Sequence, residues 1–349
     1  MAQPKKILIT GPVPPPAGGI SIHISRLQYL LKDNFAIDFI DESSLQKPGI
    51  FNLRSYNFFL YIKKMLGADL VYVQSGSTYL RLIQLFFAKL LFKKIILTIH
   101  AYPFKKKGVT YFLDNSIFNF ANKIIVVNES ILTRLSLAPQ KCAIKIAFLP
   151  PVMELEPALP NSILDIILSA KNDGAKIICA NASRLDFYNN EDLYGVDMCI
   201  EVSKYFKQQS VKHIFIFIVS SLDDGKTTFE KYVNQIKAEG LENSFFLLNT
   251  RLSFVRLIEV ADVIVRPTNT DGDAITIREV LYLHKPILAS DAVARPEGTL
   301  LFKNRNVDDF KNKLLNIISQ SNTSIADKQK NDNDDKSFYM DIINSVLKN

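Results

Sequence analysis

Cysteine is scarce in this chain of 349 residues, occurring only at Cys142, Cys179 and Cys199. With no CxxC pair and no histidine beside them at metal spacing, they argue against a disulfide framework or a zinc site, and core thiols are expected. Long uncharged apolar runs are also missing. The most apolar window, Leu80 to Ile99, carries Arg81, Lys89, Lys93 and Lys94, whereas a membrane span needs ~20 largely uncharged residues. Met1 to Ile9 lacks the basic, apolar and small-residue zones of a signal peptide, so a cytoplasmic protein is expected.

What is present supports a large core: 48% of the residues are apolar and 22% charged. At ~100 to 200 residues per domain, two domains fit. The net charge of +7 is unevenly spread. Residues 1–150 hold 19 basic and 7 acidic side chains, and residues 151–349 hold 23 and 28.

Short Ile- and Val-rich runs alternate with segments of helical length. Strands are expected in the first half at Lys6 to Thr10, Ala36 to Ile40, Leu70 to Gln74, Ile95 to His100, Ile124 to Asn128 and Ile144 to Leu149. Between the first two, Ile20, Ile24, Leu27 and Leu31 share one helix face. Continuous apolar strands followed by crossover helices imply a doubly wound parallel sheet. Four prolines between Pro150 and Pro160 interrupt the pattern and mark a linker. Strands then resume at Lys176 to Ala180, Ile214 to Val219, Phe245 to Leu248, Val263 to Arg266 and Ile287 to Ser290. The expected fold class is α/β, with Rossmann-like domains over 1–155 and 163–318. Over 319–349 a polar loop, Ser319 to Lys336, precedes a helix from Phe338 to Leu347. A return of that helix toward the N-terminal domain is one arrangement this allows.

Open parallel sheets bind ligands beyond the carboxyl ends of their strands, and four segments lie there. Thr10 to Ser21 ends in Gly18-Gly19 at a helix start, where backbone N–H groups and roughly half a positive charge suit an anion. A purely structural Gly-Gly remains the alternative, since the loop is neither a P-loop nor a GxGxxG fingerprint. The strand ending Thr98-Ile99-His100-Ala101-Tyr102 puts His100 at the rim, with a capped core histidine as the alternative. Ser183-Arg184-Leu185 offers an Arg for a diphosphate, or simply a surface Arg. Most informative is Arg266 to Asp291: a strand, an acidic turn through Asp271, Gly272 and Asp273, a helix starting near Ala274, and a turn at Lys285-Pro286. Glu279, eight residues after Asp271, falls about one turn inside the helix. Free N–H groups around Asp273, Ala274, Ile275 and Thr276 can hold phosphate or sugar oxygens, with an N-capping Asp and a solvated Glu as the alternative.

Through residues 266–291 the chain resembles the retaining glycosyltransferases of the GT-B type, in the large group 1 family also called family 4. That family shares the strand ending in Pro, the acidic residue, the Gly-containing turn and the Glu eight positions on. The Gly-Gly loop, His100 and Ser183-Arg184-Leu185 occur in the family's order, so the resemblance covers roughly residues 5–318. It implies two Rossmann-like domains facing a central cleft, with a nucleotide-sugar donor held mainly by the second and the acceptor by the first. By that resemblance Glu279 would hold the ribose hydroxyls, Arg184 the diphosphate, and Asp271 would stand for the family's first Glu beside the donor sugar. Gly18 and Gly19 would meet the phosphates, and His100 the transferred sugar near its reacting carbon. Family members usually retain anomeric configuration and need no metal or other cofactor, so the enzyme's work is positioning and stabilising the departing diphosphate. Two departures stand out. Tyr194 precedes Gly195 where the family usually has Lys, leaving Lys226 or a Tyr hydroxyl to compensate. Asp271 is a methylene shorter than Glu, and Asp273 sits where an aromatic is common.

Aromatic and basic residues interleave at Phe51 to Lys64, Lys93-Lys94 and Tyr102 to Lys107. Two readings stay open: peripheral binding to the anionic inner face of the plasma membrane, where a lipid-linked acceptor would lie, and a solvated basic face over core aromatics. No nucleic-acid motif accompanies the charge, so no nucleic acid is expected as partner. The expected function is transfer of a sugar to a saccharide or lipid-linked acceptor in cell-surface polysaccharide or glycolipid synthesis. A nucleotide-sugar epimerase and an inactive nucleotide-sugar binding module are the alternatives, the latter favoured by Tyr194. Asp224-Gly225-Lys226-Thr227 lacks the earlier Gly of a Walker motif. His23, His213 and His284 are too scattered for a metal, His213 being expected to open a strand and His284 to end a helix.

Overall fold

The computed structural model describes residues 3–15, 18–102, 108–222, 225–270, 274–320 and 332–348. The chain forms two compact units, Met1–Pro150 with Lys330–Asn349, and Pro151–Gln329.

In the N-terminal unit β1 (Lys6–Gly11) leads into α1 (Gly19–Leu31), then β2 (Ala36–Asp41), β3 (Phe51–Asn52) and α2 (Phe58–Leu66). They are followed by β4 (Leu70–Val73), α3 (Thr78–Leu90), β5 (Lys94–Ile99), α4 (Val109–Phe118), β6 (Lys123–Val126), α5 (Glu129–Leu132) and β7 (Cys142–Ile144). The strands form one parallel sheet in the order β3-β2-β1-β4-β5-β6-β7. Side chains alternate across it. Leu8, Val71 and Leu97 meet Tyr61, Met65 and Leu85 of α2 and α3 on one face. Ile7, Ile9, Tyr72 and Ile96 meet Ile24, Leu27 and Leu31 of α1 on the other. Both faces are covered, which is why these strands read as continuous apolar runs.

The C-terminal unit follows α6 (Asn161–Asn172) with β8 (Lys176–Ala182), the hairpin β9 (Phe187–Tyr188) and β10 (Glu191–Asp192), α7 (Val196–Gln208), β11 (His213–Val219) and α8 (Lys226–Ala238). Then come β12 (Phe245–Asn249), α9 (Phe254–Val260), β13 (Val263–Arg266), α10 (Ile275–Tyr282), β14 (Ile287–Ser290), β15 (Leu300–Phe302) and α11 (Val307–Ser319). Its parallel sheet runs β12-β11-β8-β13-β14-β15. The last element, α12 (Asp332–Lys348), belongs to the N-terminal unit. There it buries Tyr339, Ile343 and Val346 beside α1, and the Lys94 ammonium donates to the Leu347 carbonyl (2.9 Å).

Three expectations are corrected. The strand expected at Ile144 to Leu149 is β7 at Cys142–Ile144. Its partner β6 ends at Val126, opposite Ile144, so nothing remains to pair with residues beyond except through the Lys145 N–H. The chain then sinks Phe148 and Leu149 into the core. Cys179 and Cys199 are buried, but Cys142 on that edge strand is only half-buried. The loop expected to last to Lys336 has already become α12 at Asp332, where acidic residues favour a helix N-terminus. Residues 321–331 lie outside the described residues.

In each unit strand order reverses direction about the first strand, between β1 and β4 and between β8 and β13. Those are the switch points beyond whose carboxyl ends open sheets bind ligands.

Candidate functional site

In the C-terminal unit the switch point gathers Ser183 and Arg184 after β8, and Pro267 to Thr270 and the start of α10 after β13. The Arg266 guanidinium bridges the two, donating to the Asn181 carbonyl and to its side-chain oxygen, both at 3.1 Å. It also lies 5.4 Å from the centre of the Tyr194 ring. Arg295 ties the next strand in, donating to the Ser290 carbonyl (3.1 Å) and to Thr268 Oγ1 (2.9 Å), while Ser290 Oγ donates to the Thr268 carbonyl. The floor of the site is therefore cross-braced by hydrogen bonds, a requirement for holding a ligand in fixed geometry.

Glu279 lies one turn into α10, only 4% exposed, with Thr276 buried beside it. The alternative of a solvated Glu is not what the structure has. A carboxyl group this deep needs donors around it. Ala274 is the N-cap of α10 and brings no side-chain oxygen, so nothing from the cap residue itself occupies the first N–H groups, including that of Ile275. Asp271 and Asp273 lie outside the described residues. Arg184 is exposed and paired with Asp186 (2.8 Å).

The Tyr194 segment has its own logic. Tyr194 shares a hydrogen bond with Ser183 Oγ (2.8 Å). The Asp192 carboxylate accepts from the N–H groups of Tyr194, Gly195 and Val196 and from the Tyr232 hydroxyl (2.6 Å). The start of α7 is thus capped from within by a carboxylate, whose proton affinity burial raises. Gly195 has φ +70°, and a Cβ there would lie 2.4 Å from the Pro267 carbonyl oxygen. No other residue fits without moving the β13 loop. Lys226 opens α8 after Gly225, which packs against Leu185.

In the N-terminal unit the corresponding edge is less charged. Gly18 precedes α1, its N–H donating to Ser21 Oγ (2.8 Å). A Cβ on Gly19 would meet nothing within 4 Å. The fold does not need a glycine at 19, so the space beside α1 is open for approach to its backbone. His100 is brought to the same place: the ring of His23, one turn into α1, stands edge-on to it with centroids 5.2 Å apart. Since Gln74 Oε1 can only accept, His100 Nε2 donates to it (3.1 Å), which leaves Nδ1 as the acceptor of a neutral ring. Burial, reinforced by His23 and the Arg81 charge, holds the His100 pKa well below its usual value. The buried Arg81 guanidinium donates to the Ser75 carbonyl (2.9 Å) and the Ala101 carbonyl (3.4 Å), stapling the loops after β4 and β5 that carry Gln74 and His100. Nearby, Glu42 accepts from Ser75 Oγ (2.6 Å) and Gln84 Nε2 (3.3 Å), and burial pushes its pKa up to about 7.

Gln74, Arg81, Asn181, Arg266 and Asp192 escaped the sequence reading. Gln74 and Arg266 had a local signal, each as the polar end of an apolar strand. Among the described residues no cluster of three or more His, Cys, Asp or Glu could hold a metal ion. His213 opens β11, sharing a hydrogen bond with Ser203 Oγ (2.8 Å), and His284 follows α10 with φ 54°.

No family model and no curated protein matches this sequence. Solved structures do match. A glycosyltransferase from Rickettsia africae ESF-5 aligns over 99% of this chain and 97% of its own, with TM-score 0.67 and 14% identity. Anabaena Alr3699/HepE in complex with UDP-glucose aligns over 98% and 97%, with TM-score 0.64 and 15% identity. TarM aligns over 97% and 99%, with TM-score 0.61 and 12% identity. The two parallel-sheet α/β units match the architecture of GT-B glycosyltransferase structures.

Proposed function

We propose that this chain is a glycosyltransferase that moves a sugar from a nucleotide-sugar donor to a saccharide or lipid-linked acceptor, in cell-surface polysaccharide or glycolipid synthesis. The observation that carries the reading is the buried Glu279 on α10, beyond β13 at the switch point of a fold whose solved neighbours include one with UDP-glucose. The family resemblance adds retention of configuration without a metal.

In this reading the Glu279 carboxylate accepts hydrogen bonds from the ribose hydroxyls. The N–H groups of Ala274, Ile275 and Thr276 and the guanidinium of Arg184, released from Asp186, receive the diphosphate. Charge building on the departing diphosphate is then met by the helix dipole and the Arg184 cation. By the family resemblance Asp271 and Asp273 would join the donor site, and the N-terminal unit would hold the acceptor, with Gly18 and Gly19 toward the phosphates. By the same resemblance His100 would meet the transferred sugar, and its ring, with Nε2 donating to Gln74, offers Nδ1 as the acceptor.

The test is thermal unfolding with a panel of nucleotides and nucleotide sugars, followed by turnover with acceptors. A bound donor at a hundred times its Kd stabilises by about 2.7 kcal/mol. Glu279→Ala and the shape-conserving Glu279→Gln should both lose that shift, whereas His100→Ala should keep it and lose turnover. An unchanged shift in Glu279→Gln removes the donor assignment. A second reading, a module that binds donor without turnover, draws on Tyr194 and the Asp192 cap, which put a phenol and a carboxylate where a cation would help. It predicts a donor shift and no transfer with any acceptor.

A further inference from the structure

Helices α2, α3 and α4 lie side by side over one face of the N-terminal sheet. Phe87 of α3 packs against Phe58 and Tyr61 of α2 at 5.7 and 5.6 Å, and Arg81 of α3 lies over Phe118 of α4 at 5.6 Å. Their inner sides are ordinary core: Tyr61 and Met65, Leu85 and Ala88, Phe118. Their outer sides are not. On α3, Tyr79, Ile83, Phe86 and Leu90 recur at helical spacing and are all exposed, an apolar stripe running the length of a helix whose opposite side is already buried. On α2, Phe59 and Leu66 are exposed with Lys63 between them. The pattern of α4 is inverted, exposing Val109, Phe112 and Leu113 while burying Asp114 and Asn115. Tyr56 before α2 and Phe92 after α3 are 89% and 95% exposed.

The charge of this face has one sign. Neither α2 nor α3 contains an Asp or Glu, and the one acid of α4, Asp114, is buried and accepts from the Tyr102 hydroxyl (2.9 Å). Arg54, Lys63 and Lys89 are exposed among the aromatics.

We infer that the outer face of α2, α3 and α4 docks onto an anionic lipid bilayer, its aromatic and aliphatic side chains entering the headgroup boundary and Arg54, Lys63 and Lys89 meeting acidic headgroups. A contiguous exposed apolar surface of this kind marks an interaction site. A second copy of the chain fits it less well, because a two-fold contact lays the face on itself and sets these cations against their own copies with no carboxylate between. A bilayer of acidic lipids supplies both the apolar depth and the opposite charge. The lipid-linked form of the acceptor rests on the proposed transferase; the docking surface does not.

The test mixes the full chain with vesicles of phosphatidylcholine alone, or of phosphatidylcholine with phosphatidylglycerol, at low and high salt, and measures co-sedimentation. The expected result is binding to the acidic vesicles at low salt, weakened at high salt. Phe59→Ser with Phe86→Ser, and separately Lys63→Glu with Lys89→Glu, should each lower the partition coefficient roughly tenfold or more. Both variants should keep the unfolding temperature and the nucleotide-sugar thermal shift of the parent, which separates failure of this surface from failure of the transferase reading. No co-sedimentation with acidic vesicles at low salt overturns the inference, as does equal binding by parent and both variants. A lipid-free dimer broken by the same substitutions also overturns it, assigning the face to self-association.

Discussion

The two units share one topology and use it differently. At the β1/β4 switch point the chain places the buried His23 ring and Gln74 amide and the half-buried His100 ring, with the Arg81 guanidinium turned onto backbone carbonyls. At β8/β13 it places charge, Arg184, Arg266 and Glu279, braced by hydrogen bonds. The outer helices differ in the opposite sense. Those of the N-terminal unit expose Phe59, Tyr79, Phe86 and Phe112, whereas on the C-terminal unit's α-helices the one large exposed apolar side chain among the described residues is Leu168 on α6. The sheet determines where a site can lie; the residues just beyond the strands determine its chemistry.

Glycine substitutions give the largest contrast. Gly195→Ala puts a Cβ against the Pro267 carbonyl at a left-handed backbone position and should cost about 2–4 kcal/mol in urea unfolding. Gly19→Ala meets open space and should change stability by less than about 0.5 kcal/mol. Equal effects would show that the two loops are not differently packed.

Acid sharpens the comparison next. Burial lowers the His23 pKa to about 4 from 6.5, so between those values the unfolded chain binds the proton more tightly. Its contribution is complete above pH 6.5 and is lost as pH falls through 4, roughly 3 kcal/mol in all. Glu42 opposes this. Its folded pKa near 7 stabilises the native state at low pH, and that contribution is lost as pH rises from about 4.5 through 7. Urea midpoints measured from pH 4 to 7.5 should decline less steeply toward acid in His23→Gln than in the parent. Parallel curves would place that loss elsewhere.

Much of the fold was legible in the sequence because buried parallel strands and crossover helices leave local patterns. Ile7 to Ile9 and Ile214 to Val219 have no other reading. What stayed hidden was either too short for a pattern, as in β3, β9, β10 and β15, or non-local. β7 depended on where β6 ends; the helix at Phe338 to Leu347 was expected, and only the start of α12 at Asp332 was not. At the site, the positions of His100, Arg184 and Glu279 followed from strand ends. The bonds that brace the site did not, because Arg266 and Asn181 are 85 residues apart and the Tyr232 hydroxyl reaches Asp192 from 40 residues away. The exposed stripe of α3 was obscured for a related reason: a helix apolar on two sides resembles one simply buried, until its neighbours are known.

The central claim is that a nucleotide sugar is held beyond β8 and β13 of the C-terminal unit. Amide hydrogen exchange with and without a donor that shifts the unfolding temperature measures this directly. The account predicts slowed exchange at Ile275 to Glu279 and at Ser183 to Val196, lost in Glu279→Gln. Protection confined to the N-terminal unit, or absent from both segments under saturating donor, would contradict it.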